Sequence, residues 1–414
     1  EEDMAKILDG IRVLDFTQGH TGSYATMLLA DFGAEVIKIE DPETGGDVLR
    51  NSFPKTDKGS AYHAYMNRGK KSICIDRRTE EGQKIIMRLI ENADVVCDCF
   101  QAGEMERCNI GYGKACEVNP GIIYASQTGF GKYGPMSNSA GCDLTSEAFC
   151  GLMQCTGWPD EKGGRPTAHG SRMADQFGGV HLAAGIVAAL MAREDMGEGQ
   201  QVEVASADSM LTALEDCLAE ASMSGVTKHR EGNGSRSIAP YDTFEVKDGI
   251  FSTAVSTNSQ WKKFCEVMEF EELLSDPRFT TNEGRGEHYF AEDGERGLRE
   301  IIDNKFRDMT RKEISELLEP HNIPGGPGYT VEDAFNDEQL NTRNMVLDID
   351  DKALGKIKMP GVPIKISDID DTDIKSAPLL GEDTEEILKF ASFADDEIAA
   401  LEKRKIVLCE GGAK

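Results

Sequence analysis

From residue 10 to residue 127 the chain alternates short apolar runs with segments patterned as helices, and that alternation constrains the fold more than anything else in the sequence. GIRVLDF (10–16), AEVIKIE (34–40), KKSICID (70–76), ADVVCDC (93–99) and GIIYASQ (121–127) are strand-like. SYATMLLADF (23–32) and the segment 80–92 carry helical spacing, with Gly33 placed to end the first helix. Strands joined through helices predict a Rossmann-like parallel sheet covered on both faces. Ligands of such sheets bind at the carboxyl ends of the strands. The loops at 17–22, 41–50, 100–107 and 128–137 are therefore the candidate binding loops.

A second constraint is the stretch SRMADQFGGVHLAAGIVAALMARE (171–194). Val180, Ala183, Ala184, Val187, Leu190 and Met191 recur at the spacing of an apolar helical stripe. Asp175 stands at its mouth, followed by Gly178 and Gly179. Two readings compete. Asp175 caps the helix, or it is a carboxylate nucleophile whose neighbouring glycines let a ligand approach the backbone.

Composition excludes several classes. With 39% hydrophobic and 29% charged residues, the 414-residue chain is globular and long enough for two domains. A formal net charge of −29 argues against nucleic acid and anionic membranes as partners, and no apolar run reads as a membrane span. The first residues, EEDMAKILDG, do not read as a signal peptide, so a cytoplasmic location is expected. Eleven cysteines without a C-x-x-C pair, and seven histidines that do not cluster with them, point to free thiols and to no metal site. Gly129, Gly131 and Gly134 spell G-x-G-x-x-G, but Pro135 follows at once and no helix opens to hold a pyrophosphate, so no dinucleotide site is expected.

Beyond the long helix, 197–216 supplies a turn, a strand and a helix, and 227–236 reads as a linker or flexible loop. Residues 240–255 read as a hairpin turning at Lys247-Asp248-Gly249. Helices follow at 260–268, 296–306 and 312–318, the last with a Thr310–Glu313 capping box. PGGPG (324–328) reads as a break, and the closing EGGAK as loose. The expected organisation is a large domain over 1–229, a smaller α+β domain over 230–330, and a return to the large domain over 331–414.

Eleven segments, in order, resemble the family III CoA-transferases, the formyl-CoA and carnitine CoA-transferase family. They begin with GIRVLDFTQGHTGSYATMLLADFGAEVIKIE and CFQAGEMERCNIGY, and continue through GFGKYGP, AGCDL, GLMQCTG and the Asp175 segment. GEGQQVEVASADSM, PYDTFEVKDG, DPRFTTNEGR, IPGGPGYTVEDAFND and APLLGEDTEEIL extend the likeness over nearly the whole chain. The resemblance implies an enzyme that moves CoA from an acyl-CoA donor to a carboxylic acid acceptor. Asp175 is then the covalent nucleophile, passing through a mixed anhydride and an aspartyl-CoA thioester. It implies no permanently bound cofactor, CoA thioester as substrate, and an interlocked homodimer.

The resemblance places His20 and Thr21 beside the thioester. It places Asn67, Lys70, Lys71, Phe100, Arg107 and, more weakly, Lys132 among the CoA contacts. Cys99 stands where the family motif has Asn, and Asp41 where related members put a base facing the CoA phosphates, so another cation must offset that acid. The residues 233–235 lie where the family can carry a mobile glycine-rich loop. The main rival is an α-methylacyl-CoA racemase, which needs a histidine where this chain has Cys142; a thiol is a poor match for that base. A non-catalytic acyl-CoA-binding protein is the rival of another class.

Overall fold

The computed structural model describes residues 6–235, 238–290, 296–367 and 369–409. The expectations for EGGAK, for the first five residues and for part of the 227–236 loop lie outside them. The chain divides into two compact units. One comprises the residues up to Leu152, Ala168–Gly225 and those from Gln339 onward; the other comprises Met153–Thr167 and Val226–Glu338.

In the first unit, the strands β1 (Arg12–Asp15), β2 (Glu35–Glu40), β3 (Lys71–Ile75), β4 (Val95–Asp98), β5 (Ile123–Thr128) and β6 (Gln201–Ala205) run parallel to one another. Successive side chains go to opposite faces. Leu14, Ile37, Ile73 and Val96 pack under the helix Glu80–Ile90, while Val13, Val36, Val95 and Ile123 pack under the helices Ser23–Asp31 and Met173–Met196. Strands buried on both faces explain the near-continuous apolar runs.

The second unit holds an antiparallel sheet of β7 (Tyr241–Val246), β8 (Gly249–Ala254) and β9 (Gly325–Gly328). Its core is built around Phe244, Phe251, Phe264 and Phe306. The hairpin pairs Val246 with Gly249, and the Thr310–Glu313 capping box forms. PGGPG, expected as a break, is instead the edge strand β9. A Cβ on Gly325 would lie 2.8 Å from the Phe251 ring, so glycine is what lets this strand close on β8. The first unit also contains a hairpin of β10 (Val346–Asp351) and β11 (Gly355–Pro360), and a short β12 (Val407–Leu408). The large sheet runs β12-β3-β2-β1-β4-β5-β6, with β12 antiparallel to β3.

The long helix differs from expectation in phase. Leu182, Ala183, Ile186 and Leu190 are buried, but Val180 and Met191 are 45% and 69% exposed. By length and composition this helix could cross a membrane. Half of it is packed inside the unit against Ser23–Asp31 and the sheet, which makes it a core helix of the fold described here.

Arg68 ties early and late parts of the first unit together. Its side chain is fully buried; it donates to both oxygens of Asp31 (3.0 and 2.7 Å) and to the Pro360 carbonyl (2.6 Å). Removing one partner of a buried ion pair strands the other charge. Arg68→Ala should lower unfolding stability by about 3–5 kcal/mol, read as a reduced urea midpoint by far-UV circular dichroism.

Candidate active site

Asp175 lies in the first turn of Met173–Met196 and is 5% exposed. Its Oδ1 accepts a hydrogen bond from the Thr21 hydroxyl at 2.8 Å. Among the described residues no hydrogen bond engages Oδ2, so one oxygen is held and the other is unengaged. Asp175 does not cap its own helix. That task falls to Asp143 on the helix Asp143–Phe149, whose Oδ1 accepts from the N–H groups of Ala174 (2.8 Å) and Asp175 (3.1 Å). Gly129 and Gly141 permit this placement. A Cβ on either would come within 2.7 Å of the other's Cα, so the 128–142 loop crosses itself backbone to backbone and sets Asp143 against the end of β5.

The electrostatics of the pair are those of a proton-retentive carboxyl. Burial pushes the Asp175 carboxyl up to about 6, and the negative charge of Asp143 adds to the rise; the Thr21 hydrogen bond and the Arg172 guanidinium oppose it. The result is a carboxylate more basic than an ordinary aspartate and shielded from water.

The loop that carries Thr21 is anchored from below. The Lys38 ammonium donates to the Thr17 carbonyl (2.8 Å) and pairs with Asp47 (2.8 Å). Asp47 also accepts from the Gly19 N–H (3.1 Å). His20 presents its ring edge-on to Tyr62, with centroids 4.8 Å apart. Its Nδ1 is buried without a hydrogen-bond partner. Burial, helped by Arg172, holds the imidazole below its usual range, so it is neutral near pH 7.

The structure brings together Asp175, Thr21 and the His20 loop. It gives other expected residues different surroundings. Lys70 and Asn67 are buried: the Lys70 ammonium donates to Asp15 (2.8 Å), Thr26 (2.8 Å) and Asn67 (3.0 Å), and is committed to the scaffold. Lys132 donates to both oxygens of the buried Asp98 at 3.0 Å. Lys71 is part-exposed and bridges Glu35 and Glu386. Phe100 stacks under the Arg77 guanidinium at 4.3 Å, and Arg107 is exposed at the end of its helical turn. The cation that offsets Asp41 is Arg78, at 3.2 Å, which also meets Asp76 and Glu43. Cys99 takes up the Gln18 N–H at 3.1 Å; burial pushes its thiol up to about 12, so it is not a thiolate.

The two glycines after Asp175 serve packing, not ligand approach. A Cβ on Gly178 would lie 2.4 Å from Gln127 Nε2, and one on Gly179 3.0 Å from Tyr24 Cβ. Sequence reading assigned no role to Asp143, Gln127, Arg172, Lys38 or Asp47. A glutamine closing an apolar strand (Ile122 to Gln127) and an acid in AGCDL were the available signals.

Comparison with known proteins finds relatives over nearly the whole chain. Residues 8–384 match the sequence profile of CoA-transferase family III. A succinyl-CoA:mesaconate CoA-transferase of Haloarcula hispanica is 37% identical over 396 residues, covering 92% of this chain and 95% of that protein. The succinyl-CoA:glutarate CoA-transferase of Mus musculus is 32% identical over 409 residues, covering 99% and 91%. A solved CAIB/BAIF family protein from Brucella suis superposes with a TM-score of 0.81 at 33% identity, over 94% of this chain and all of that one.

The raised carboxyl has a consequence for stability. The folded chain holds the Asp175 proton more tightly than the unfolded chain, whose carboxyl sits near 3.8. Its contribution is therefore present below about pH 4 and lost as pH rises through about 6. Asp175→Asn abolishes that loss and keeps an acceptor for Thr21. Relative to the parent chain, the variant should gain up to about 3 kcal/mol between pH 4 and pH 7, measured by urea unfolding across that range.

Proposed function

Since the chain belongs to CoA-transferase family III and is an enzyme of the acyl-CoA:carboxylate CoA-transferase type, we propose that it carries CoA between two carboxylic acids through covalent intermediates on Asp175. The observation that carries this reading is the buried carboxylate itself, with Oδ1 held by Thr21 and Oδ2 unengaged. Oδ2 attacks the donor thioester carbonyl, the C–S bond breaks, and CoA leaves as the thiolate with a mixed anhydride on Asp175. The thiolate then attacks the aspartyl carbonyl, releasing the donor acid and leaving an aspartyl-CoA thioester. The acceptor carboxylate attacks that thioester, and the returning thiolate takes the acyl group from the new anhydride, regenerating the Asp175 carboxylate. No proton is gained or lost in the cycle. A dry, basic carboxylate suits both demands: it attacks readily, and the activated acyl group is kept from water.

CoA is met, in this reading, by the surfaces around His20 and Thr21 and by Phe100, Arg107 and Lys71, whose side chains reach solvent at least in part. Asn67, Lys70 and Lys132 act from beneath, holding Asp15 and Asp98. The acids are dicarboxylic. The relatives act on succinyl-CoA with mesaconate or glutarate, and all three acids carry a second carboxylate. Arg172 fits that class: it is exposed, it engages no ion pair among the described residues, and its charge is felt by both Asp175 and His20. A second copy of the chain covers the side of the long helix that carries Val180 and Met191, large apolar side chains left in solvent.

Two outcomes test the reading. Mixing the enzyme with succinyl-CoA and hydroxylamine should place a hydroxamate on Asp175, seen by peptide mass spectrometry. Asp175→Ala should lower exchange by at least about 10³-fold; exchange at the parent rate would sink the covalent route. Separately, Arg172→Gln should raise KM for glutarate by about tenfold or more and leave KM for a monocarboxylate such as butyrate unchanged.

A further inference from the structure

Gln127, the penultimate residue of β5, is fully buried and belongs to no part of the mechanism above. Its carboxamide makes three hydrogen bonds to three separate elements. Nε2 donates to the Asp175 carbonyl (3.0 Å) and to the Ser206 hydroxyl (3.0 Å). Oε1 accepts from the Gly22 N–H (3.0 Å). The orientation of the amide is thereby settled, since a flipped group would turn its NH₂ toward the Gly22 N–H and its oxygen toward the Asp175 carbonyl. Gly178 provides the space, because a Cβ there would collide with Nε2.

The peptide whose N–H is Gly22's is the one that follows Thr21. Fixing that peptide fixes where the Thr21 side chain leaves the backbone. The opposite end of the same planar group holds the backbone of Asp175. One rigid amide thus spans the two residues whose side chains meet at 2.8 Å. Asp143 grips the N–H side of Asp175, but it makes no hydrogen bond to the Thr21 loop among the described residues. Lys38 and Asp47 hold that loop at Thr17 and Gly19, before Thr21, and make none to Asp175.

We propose that Gln127 is a positioning residue that sets the register of the Thr21 hydroxyl on the Asp175 carboxylate, and so the direction in which the free Oδ2 points. The inference rests on Asp175 being the nucleophile. It predicts that losing Gln127 and losing the Thr21 hydroxyl are the same loss. A misplacement of the attacking group by a fraction of an ångström is felt in kcat, whereas binding of a large CoA thioester through remote contacts is not.

The test is a double-mutant cycle on the full chain, with succinyl-CoA as donor and glutarate as acceptor. Gln127→Leu and Thr21→Val should each lower kcat by about ten- to a hundredfold, and Gln127→Leu should leave KM for both substrates within about twofold. The double variant should be no slower than the slower single one. In each, the acid limb of the kcat profile should move to higher pH, because the carboxylate has lost the hydroxyl that favours its charged form. Thr21→Ser should restore kcat when Gln127 is present and fail to do so in Gln127→Leu. Should Gln127→Leu not fold, Gln127→Met carries the cycle, as it keeps the length of the side chain while losing both the acceptor for Gly22 and the donor to Asp175. Multiplicative losses, or a Gln127 variant within about twofold of the parent kcat, overturn the proposal. Asp175→Ala measured alongside separates the two failures. If it is inactive while the losses multiply, only the role of Gln127 falls; if it is active, the covalent reading falls and takes this inference with it.

Discussion

Four charges in the interior of the first unit, Asp15, Lys38, Asp47 and Lys70, hold the rest of this structure in place. All four side chains are buried, with Lys70 and Lys38 joined to Asp15 and Asp47 at 2.8 Å. Burial pushes the Asp15 carboxyl up, but the two ammonium groups overcome it and the net displacement is far downward. Burial lowers Lys38, yet Asp15 and Asp47 raise it further still. Taking ions out of water costs several kcal/mol each, and such clusters survive only when every member is satisfied. Their value here is positional. Asp15 is the last residue of β1, and the cluster takes the Thr17 carbonyl and the N–H groups of Thr17 and Gly19 as additional partners. A loop held at that many points cannot wander, and Thr21 is on it.

From this base the site is assembled by close approach. The Asp175 backbone is gripped on its N–H side by Asp143 and on its carbonyl side by Gln127, while its side chain is met by Thr21. Each grip needs a missing Cβ: at Gly129 and Gly141 for the first, at Gly178 for the second. The glycines near the carboxylate are thus spent on bringing protein to protein. Among the described residues, Oδ2 of Asp175 and Nδ1 of His20 are left without a hydrogen-bond partner beside these contacts.

Much of this was legible in the sequence because it rests on periodicity. β1 to β5 and their helices are apolar runs at the spacing of their class, and both capping boxes and turns follow local rules, as at Thr310 and at Lys247-Asp248. Asp175 was found through its place in an ordered set of segments. What stayed hidden depends on distance in space. Lys70 looks like a surface base in the sequence RGKK, and only its encounter with Asp15, Thr26 and Asn67 shows it to be interior. PGGPG carries every local mark of a break, yet the Phe251 ring beside Gly325 makes it a strand. The phase of the long helix was misjudged at Val180 and Met191 because its solvent side is apolar too, and periodicity alone cannot choose between two apolar faces.

The edge of the large sheet carries a consequence for how the molecule is made. The Ser72 N–H donates to Asp383, the Cys74 N–H to Thr384, and the Gly381 N–H to the Ser72 hydroxyl; Arg50, itself on Glu40, reaches the Pro378 carbonyl. The partners of β3 are thus encoded at the far end of the message. At a synthesis rate of about 5–20 residues per second, they leave the ribosome roughly 15–60 s after β3 does. During that interval β3 has β2 on one side but lacks the late residues that pair with its other side. The central sheet is therefore completed only once these late residues have been made.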